Sequence, residues 1–345
     1  MEISNGVKII FVGTPEYGAI VLQGLVRNGY KPVLVVTAPD KPVGRKQIIT
    51  PPPVKVIAQK YKIPVEQDEK EDKVLFDYLK FKIKNLKPDL GIVAAYGHII
   101  PQEILTIPKY GFVNVHPSLL PRWRGSSPVQ YTILEGDEKT GVTIIEMTDK
   151  VDAGPVIAQE EIKIEGNETY EILHNKLAGL GADLLLETIP KWLSSEIKPN
   201  PQNEVKATYA KILKKENGKI NWEKPAEALE REIRAFYPWP GSYAIWENHG
   251  LLTKIKILKS RVYKPLNLLK TKYRAPRQQG EGEEEGEVLF DYPIGKVLVV
   301  PQNEIGVQCE KDFLVIEKLQ MEGKKEMTAE DFLRGHFDFI GTILK

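Results

Sequence analysis

The 345-residue sequence predicts an α/β protein in two parts: a mostly parallel sheet with helices on both faces, then a smaller β-barrel. Three observations carry this expectation. Residues 7–193 alternate short apolar runs with segments of helical periodicity, the pattern of a helix-covered parallel sheet. A polar, Pro-bearing stretch at 195–206, SEIKPNPQNEVK, ends that alternation. Beyond it, short β-type runs separated by turn residues dominate, as in small barrels. The expected division is 1–194, a linker at 195–206, and 207–345.

Taken in order, Val7–Gly13 is an apolar run ending in Gly, and Tyr17–Asn28 has helical periodicity. Pro32–Ala38, Pro88–Tyr96, Gly111–His116 and Gly141–Met147 read as further strands, and Pro155–Ile164 as one more. Helices are expected at Asp72–Leu86, Ser127–Glu135 and Glu168–Leu193. In the second part, Pro225–Phe236 is a helix with Pro in its first turn. Strands are expected at Ser242–Trp246, Leu251–Val262, Glu287–Asp291, Lys296–Pro301 and Phe313–Leu319. A last helix at Thr328–Arg334 opens with Thr328 as N-cap.

Composition excludes several classes. The chain is 42% hydrophobic and 28% charged, as soluble globular proteins are. No apolar run approaches the ~18 residues of a membrane span, and no membrane partner is expected. The start, MEISNGVKIIFVG, enters a strand almost at once, without a signal or transit pattern. Cys309 is the one cysteine, which excludes an intrachain disulfide and a Cys-based zinc site. A cytoplasmic, monomeric protein is the expectation. The net charge of +1 hides an asymmetry. From Lys191 to Arg277 there are 19 Lys+Arg against 8 Asp+Glu. Lys254 to Arg277 holds nine basic residues and no acid, and EGEEEGE follows at 281–287. A basic second part suits a polyanionic partner; a solvated face with Lys-decorated edge strands is the plainer reading.

Residues 114–125, NVHPSLLPRWRG, and the VDAG turn at 151–154 are the most informative segments. Side chains on a strand repeat every two residues, so Asn114 and His116 share a face. Pro117 holds His116 extended at the strand end. An Asp in a Gly-containing turn, Asp152, can meet them in space. Amide, imidazole and carboxylate together suit attack of an amine on a carbonyl: one group holds the oxyanion and two manage the proton. On residue chemistry alone, an active site and a packed strand end stay equally open.

Other segments are weaker. Gly13-Thr-Pro-Glu-Tyr-Gly18 sits where a dinucleotide fingerprint would lie, but Pro15 replaces the Gly that lets backbone approach a pyrophosphate. The segment 39–55, PDKPVGRKQIITPPPVK, is a long Pro-rich connection that reads as non-helical and mobile. Lys41, Arg45, Lys46 and Lys55 stand there against Asp40 alone. His98 reads as structural or rim, and His174, His249 and His336 have no metal-ligand spacing, so no metal is expected.

The run at 114–125 with its VDAG turn resembles the folate-dependent formyltransferases. That resemblance implies a Rossmann-like first domain and a catalytic trio of Asn114, His116 and Asp152. It implies a 10-formyltetrahydrofolate donor along Ser118, Leu119, Leu120 and Pro121, with the AYG turn of Tyr96 and Gly97 bordering the pterin pocket. GTPE resembles the family's opening strand-turn. The PDKPVGR loop is similar to that of the family branch acting on methionyl initiator tRNA, where Arg45 would touch the tRNA, with Lys41 and Lys46 beside it. GKINW at 218–222, RAFYPWPG at 234–241 and GKKEM at 323–327 resemble that branch's second domain, an OB-fold-like tRNA-binding barrel. Trp222, Trp239 and Pro240 read there as core and turn chemistry. Lys254, Lys256, Lys259 and Arg261 would lie on its basic face. The implied reaction moves a formyl group onto the α-amine of methionyl initiator tRNA. The resemblance spans about residues 7–340 and fails at 263–287. Three alternatives remain: a formyltransferase on an amino-sugar nucleotide or another small amine, a formyltetrahydrofolate hydrolase, and a nucleic-acid-binding barrel with an inert first domain.

Overall fold

A computed structural model describes residues 6–44, 46–67, 73–265 and 292–345, with the backbone alone for 73–76. Contacts divide the chain into two compact units, Met1–Thr132 with Gly136–Ile212, and Ile133–Glu135 with Leu213–Lys345.

The first unit runs β1 (Ile9–Gly13), α1 (Glu16–Arg27), β2 (Leu34–Thr37), β3 (Lys41–Val43), β4 (Ile48–Thr50), α2 (Pro53–Lys60), β5 (Val65–Gln67), α3 (Lys73–Leu86), β6 (Leu90–Ala94), α4 (Gln102–Leu105) and β7 (Phe112–His116). It continues with β8 (Arg124–Gly125), α5 (Pro128–Leu134), β9 (Lys139–Glu146), β10 (Val156–Lys163), α6 (Tyr170–Leu193) and β11 (Tyr209–Ala210). Seven strands form one sheet in the order β10-β9-β7-β6-β1-β2-β5. The run from β5 to β7 is parallel, while β9 and β10 pair antiparallel. β1, β2 and β6 are buried throughout, which explains their unbroken apolar sequence. Alternate side chains serve opposite faces. Ile10, Val12, Val93 and Phe112 pack with Leu79 and Ile83 of α3 and Ile104 of α4. On the other face α6 lies against β7 and β9, with Gly181 passing close to Val115 and Val142.

Several elements escaped the sequence reading. The 39–55 connection is a β3–β4 hairpin followed by α2, which starts at Pro53, where a missing N–H costs nothing. Lys55 is thus helical, and it bonds Asp40 and Gln67. Arg45 lies outside the described residues, as do the expected strand Glu287–Asp291 and the acidic run at 281–287. Residues 195–206, expected as a linker, are bonded into the first unit: Asn200 pairs with Val156, and β11 just beyond pairs with β8.

The second unit holds α7 (Ala226–Phe236), β12 (Ser242–Asn248), β13 (Leu251–Tyr263), β14 (Val297–Val300), β15 (Glu304–Gln308), β16 (Phe313–Met321), β17 (Met327–Thr328) and α8 (Ala329–Gly335). Its strands form an antiparallel half-barrel in the order β12-β13-β16-β15-β14, with β17 on β16. β15 was missed because it is short and contains Gly306. Residues 341–345 bridge the open side. Val297 N–H donates to Thr342 O (2.9 Å) and Leu344 N–H to Gly295 O (2.9 Å), while Ile245 and Lys345 exchange bonds of 2.8 and 3.0 Å. Trp246, Phe332 and Phe339 centre the core. Thr328 caps α8 as expected, accepting from the Asp331 N–H. Trp222 is core, but Trp239 is an exposed turn residue.

His174 on α6 is buried between the Tyr17 and Tyr170 rings, and burial holds its imidazole below the ordinary range against the opposing pull of Glu16 and Glu171. The unfolded chain therefore takes up a proton that the fold resists. The associated stability is present above about pH 6.5 and is lost as pH falls below it. Thermal unfolding of wild type and His174→Gln between neutral and mildly acidic pH should show the steeper loss of Tm in wild type.

Candidate active site

β7 ends the buried part of the sheet with Asn114 and His116 on one face. Asp152 arrives by an unexpected route. β9 runs antiparallel to β7, with Val113 opposite Glu146 and His116 opposite Thr143. The loop after β9 therefore leaves beside the amino end of β7, not its carboxyl end. Met147 N–H donates to Phe112 O there (2.8 Å), and the loop folds back until Asp152 reaches Asn114.

The three side chains meet. Asn114 Nδ2 donates to Asp152 Oδ1 at 3.2 Å, and His116 Nδ1 lies 3.6 Å from the same oxygen. Gly125 N–H donates to Asp152 Oδ2 at 2.8 Å. The His116 and Asp152 side chains are 5% and 13% exposed. His116 Nε2 lies 2.9 Å from Trp123 O. A carbonyl can only accept, so Nε2 carries the hydrogen and Nδ1 is the nitrogen free to exchange a proton. Asn114 has a second N–H beyond the one given to Asp152. An amide donor, an imidazole and a carboxylate thus share one small volume.

The surroundings fix these groups from several directions. Trp123 offers its carbonyl to His116 while its N–H donates to Thr208 Oγ1 (2.9 Å) and its indole N–H to Asp137 (2.7 Å). Arg122 bonds Asp137 through two nitrogens and covers the Trp123 ring at 4.2 Å. Buried Arg124 donates to Gln202 Oε1 and to both oxygens of Glu204 at 2.8–3.0 Å. Gln202 Nε2 donates to the carbonyls of Asp152 and Gly154. Trp123, Arg124 and Gly125 lie inside the motif that singled out the site, yet only spatial contact gives them roles. Gln202, Glu204 and Thr208 carried no local signal, being polar residues in and just past an apparent linker.

The expected donor segment lies beside His116. Ser118 is buried, and its hydroxyl donates to Arg122 O (2.6 Å). Thr143 Oγ1 donates to Ser118 O and accepts from Leu120 N–H, and Gln159 donates to Leu120 O. Leu119 and Pro121 are half-buried, and Leu120 is buried. Tyr96 is buried just after β6, one strand over, and Gly97 is exposed. His98 lies against Tyr96, ring centroids 5.0 Å apart. Lys41 and Lys46 are exposed on the β3–β4 hairpin, near exposed Val43, Ile48 and Ile49.

In the second unit the four basic residues of β13 differ in their company. Lys259 pairs with Glu317 at 2.8 Å, and Arg261 with Glu304 and Glu317. The basic run is therefore partly neutralised by acids on β15 and β16, which sequence distance hid. Lys254 and Lys256 alternate with buried Ile255 and Ile257 and face outward. Lys254 lies over the Tyr243 ring at 3.3 Å. Its ammonium is held below the ordinary lysine range by burial, then by the positive charges of Lys215 and Lys256. Cys309 is inert, its thiol pushed up to about 12 by burial. Among the described residues no group of three or more His, Cys, Asp and Glu could hold a metal ion. No helix among them is long and apolar enough to cross a membrane.

Comparison with known proteins identifies the relatives of this chain. The formyl transferase family model matches residues 7–189, and the model of the formyl transferase C-terminal domain matches residues 212–337. The methionyl-tRNA formyltransferase of Bacillus velezensis is 41% identical over 329 residues, 95% of this chain and 94% of the relative. The chain belongs to the methionyl-tRNA formyltransferase family. The Bacillus subtilis member is 41% identical over 98% of this chain and 97% of its own. Among solved structures, HypX from Aquifex aeolicus superposes with a TM-score of 0.59 at 17% identity, covering 97% of this chain and 50% of that one. The N-formyltransferase from Helicobacter canadensis, in complex with folinic acid and dTDP-3-aminofucose, gives 0.58 at 19%, covering 93% and 100%. At such identities the likeness is one of fold.

Gly125 has φ +112°, and a Cβ there would lie 2.6 Å from Ala210 O. Gly166 also has positive φ, +88°, but open space around it. Gly125→Ala should cost at least about 1–3 kcal/mol in urea denaturation, and more than Gly166→Ala.

Proposed function

We propose that this chain transfers the formyl group of 10-formyltetrahydrofolate to the α-amino group of methionine on initiator tRNA, and that Asn114, His116 and Asp152 carry out the transfer. The observation that carries the reading is the meeting of Asn114 Nδ2 and His116 Nδ1 at Asp152 Oδ1, in a chain 41% identical to methionyl-tRNA formyltransferases across nearly its whole length.

An α-amine titrates near ~8, so a neutral nucleophile is accessible at physiological pH. It attacks the formyl carbon, and the carbonyl oxygen gains charge. The free N–H of Asn114 donates to that oxygen. The proton lost by the amine passes through the His116–Asp152 pair, with Nδ1 the exchangeable ring position, and arrives on the leaving nitrogen of the donor. The donor is read as lying along Ser118–Pro121 with Tyr96 and Gly97 at its pterin end. The polar groups of Ser118 and Leu120 are satisfied within the protein, which supports a rigid wall there.

For the tRNA we read Lys41 and Lys46 on the hairpin as contacts, and on the second unit Lys254 and Lys256 ahead of Lys259 and Arg261. An ammonium without a carboxylate partner is free to neutralise a phosphate; one already paired must first give up its acid. The amino-sugar alternative has no supporting observation of its own, because the sugar enzyme resembles this chain in fold alone.

His116→Ala and Asp152→Asn should each lower formyl transfer by roughly 10²- to 10⁴-fold, and Asn114→Ala by about 10²- to 10³-fold, with the fold retained by circular dichroism. Turnover within about threefold of wild type in any of them is incompatible with that residue's proposed role. The tRNA reading is tested by salt titration. Lys254→Ala with Lys256→Ala should flatten the slope of log affinity against log salt by about 1.4–1.8 units, at roughly 0.7–0.9 per phosphate contact. Lys259→Ala with Arg261→Ala should change it less. A larger effect from the second pair would reverse the assignment.

A further inference from the structure

Asp152 has φ +50°, a conformation that a non-glycine residue keeps when its surroundings impose it. Gln202 supplies the constraint. Its Nε2 donates to Asp152 O at 2.8 Å and to Gly154 O at 2.7 Å, bracketing the turn from both sides. Its Oε1 accepts from Arg124 Nε and Nη2 at 3.0 and 2.8 Å. A guanidinium can only donate, so the amide oxygen must face Arg124 and the amide N–H groups must face the two carbonyls. Glu204 takes the rest of the Arg124 fork at 2.9 and 2.8 Å, and the Arg124 side chain is 3% exposed.

We propose that Gln202 is a positioning residue for the reaction. By gripping the backbone on either side of the 152–154 turn, it sets the Asp152 carboxylate against Asn114 and His116, while Arg124 and Glu204 fix the orientation of its amide. This rests on the reading of Asn114, His116 and Asp152 as the reacting groups. The grip comes from the segment that follows α6 within the first unit, not from the sheet. The same segment serves His116: Thr208 Oγ1 accepts the Trp123 N–H, and Trp123 O accepts from His116 Nε2. A site whose trio comes from residues 114–152 is thereby aligned by residues 202–208.

The role separates cleanly from that of an ordinary partner for a buried arginine. Gln202→Glu keeps acceptor oxygens for Arg124 but offers no N–H to the two carbonyls; Gln202→Ala removes both functions. Steady-state formyl transfer is measured on the full chain with 10-formyltetrahydrofolate and charged initiator tRNA. A carboxylate displaced by about 1 Å costs on the order of 10²-fold. Both variants should lower kcat by roughly that factor, with KM for donor and tRNA within about twofold of wild type, the pattern of interactions lost only in the transition state. Gln202→Glu should keep the wild-type Tm to within about 2 °C, since Arg124 remains paired. Should Gln202→Ala fail to fold, the Glu variant carries the test. Turnover of Gln202→Glu within about threefold of wild type, or a loss confined to KM, would overturn the proposal. His116→Ala and Asp152→Asn are run beside it. If these are inactive and Gln202→Glu is active, only the positioning role falls. If these keep wild-type turnover, the trio is wrong and the role of Gln202 falls with it.

Discussion

The bond from the Gly125 N–H to Asp152 Oδ2, 2.8 Å long, is the constraint on which the rest of the site depends. Asp152 stands on a loop that leaves the sheet at the wrong end and must be drawn back to Asn114. Gly125 can present its N–H because β8 pairs with β11, and that pairing needs a residue with no Cβ at φ +112°. Beside Gly125, Arg124 anchors Gln202 and Glu204, and before it the Trp123 carbonyl accepts the His116 Nε2–H. Three consecutive residues thus reach both His116 and Asp152. Each hydrogen bond contributes only about 0.5–1.5 kcal/mol to stability, so their combined effect is on geometry: they limit where the carboxylate and imidazole can go.

The second unit tells a different electrostatic story from its composition. Nine basic residues without an acid between Lys254 and Arg277 suggest a continuous track, yet strand pairing brings Glu304 and Glu317 beside Arg261 and Lys259. Among the described residues of that run, Lys254 and Lys256 have no carboxylate in ion-pair contact, and the Lys254 ammonium is held below the ordinary lysine range by burial first and then by the charges of Lys215 and Lys256. Mutual repulsion of this kind is relieved by an anion, which makes the cluster a better candidate for phosphate than its more numerous neighbours.

Much of this was legible in the sequence. The buried parallel strands announce themselves because both faces are apolar, and Thr328 marks its helix start. The 114–125 run pointed to Asn114 and His116 through simple alternation, and VDAG supplied Asp152. What sequence missed had weak local signal. β3 and β4 are three residues each and exposed, so no periodicity develops, and Pro52 and Pro53 disguised a helix start as a loop. The residues that align the site are separated from it along the chain: Gln202 lies fifty positions from Asp152, and its polar surroundings resemble those of any solvated connector. Charge pairing across β13, β15 and β16 was hidden for the same reason, since it depends on register.

Residues 341–345 bond along the outer edges of β12 and the approach to β14, and on β12 they are joined by Ile220, whose N–H donates to Tyr243 O (2.9 Å). With them in place, the donors and acceptors of Ile245 and of 295–297 are used within the chain, and Lys345 adds an ion pair to Glu247 (2.7 Å). Without them, Ile245 and residues 295–297 would present bare amides and carbonyls, the kind of surface on which other extended chains assemble. Much of the shielding of the second unit's sheet edges is therefore vested in one short segment, held by a handful of backbone bonds and by the buried Leu344 side chain.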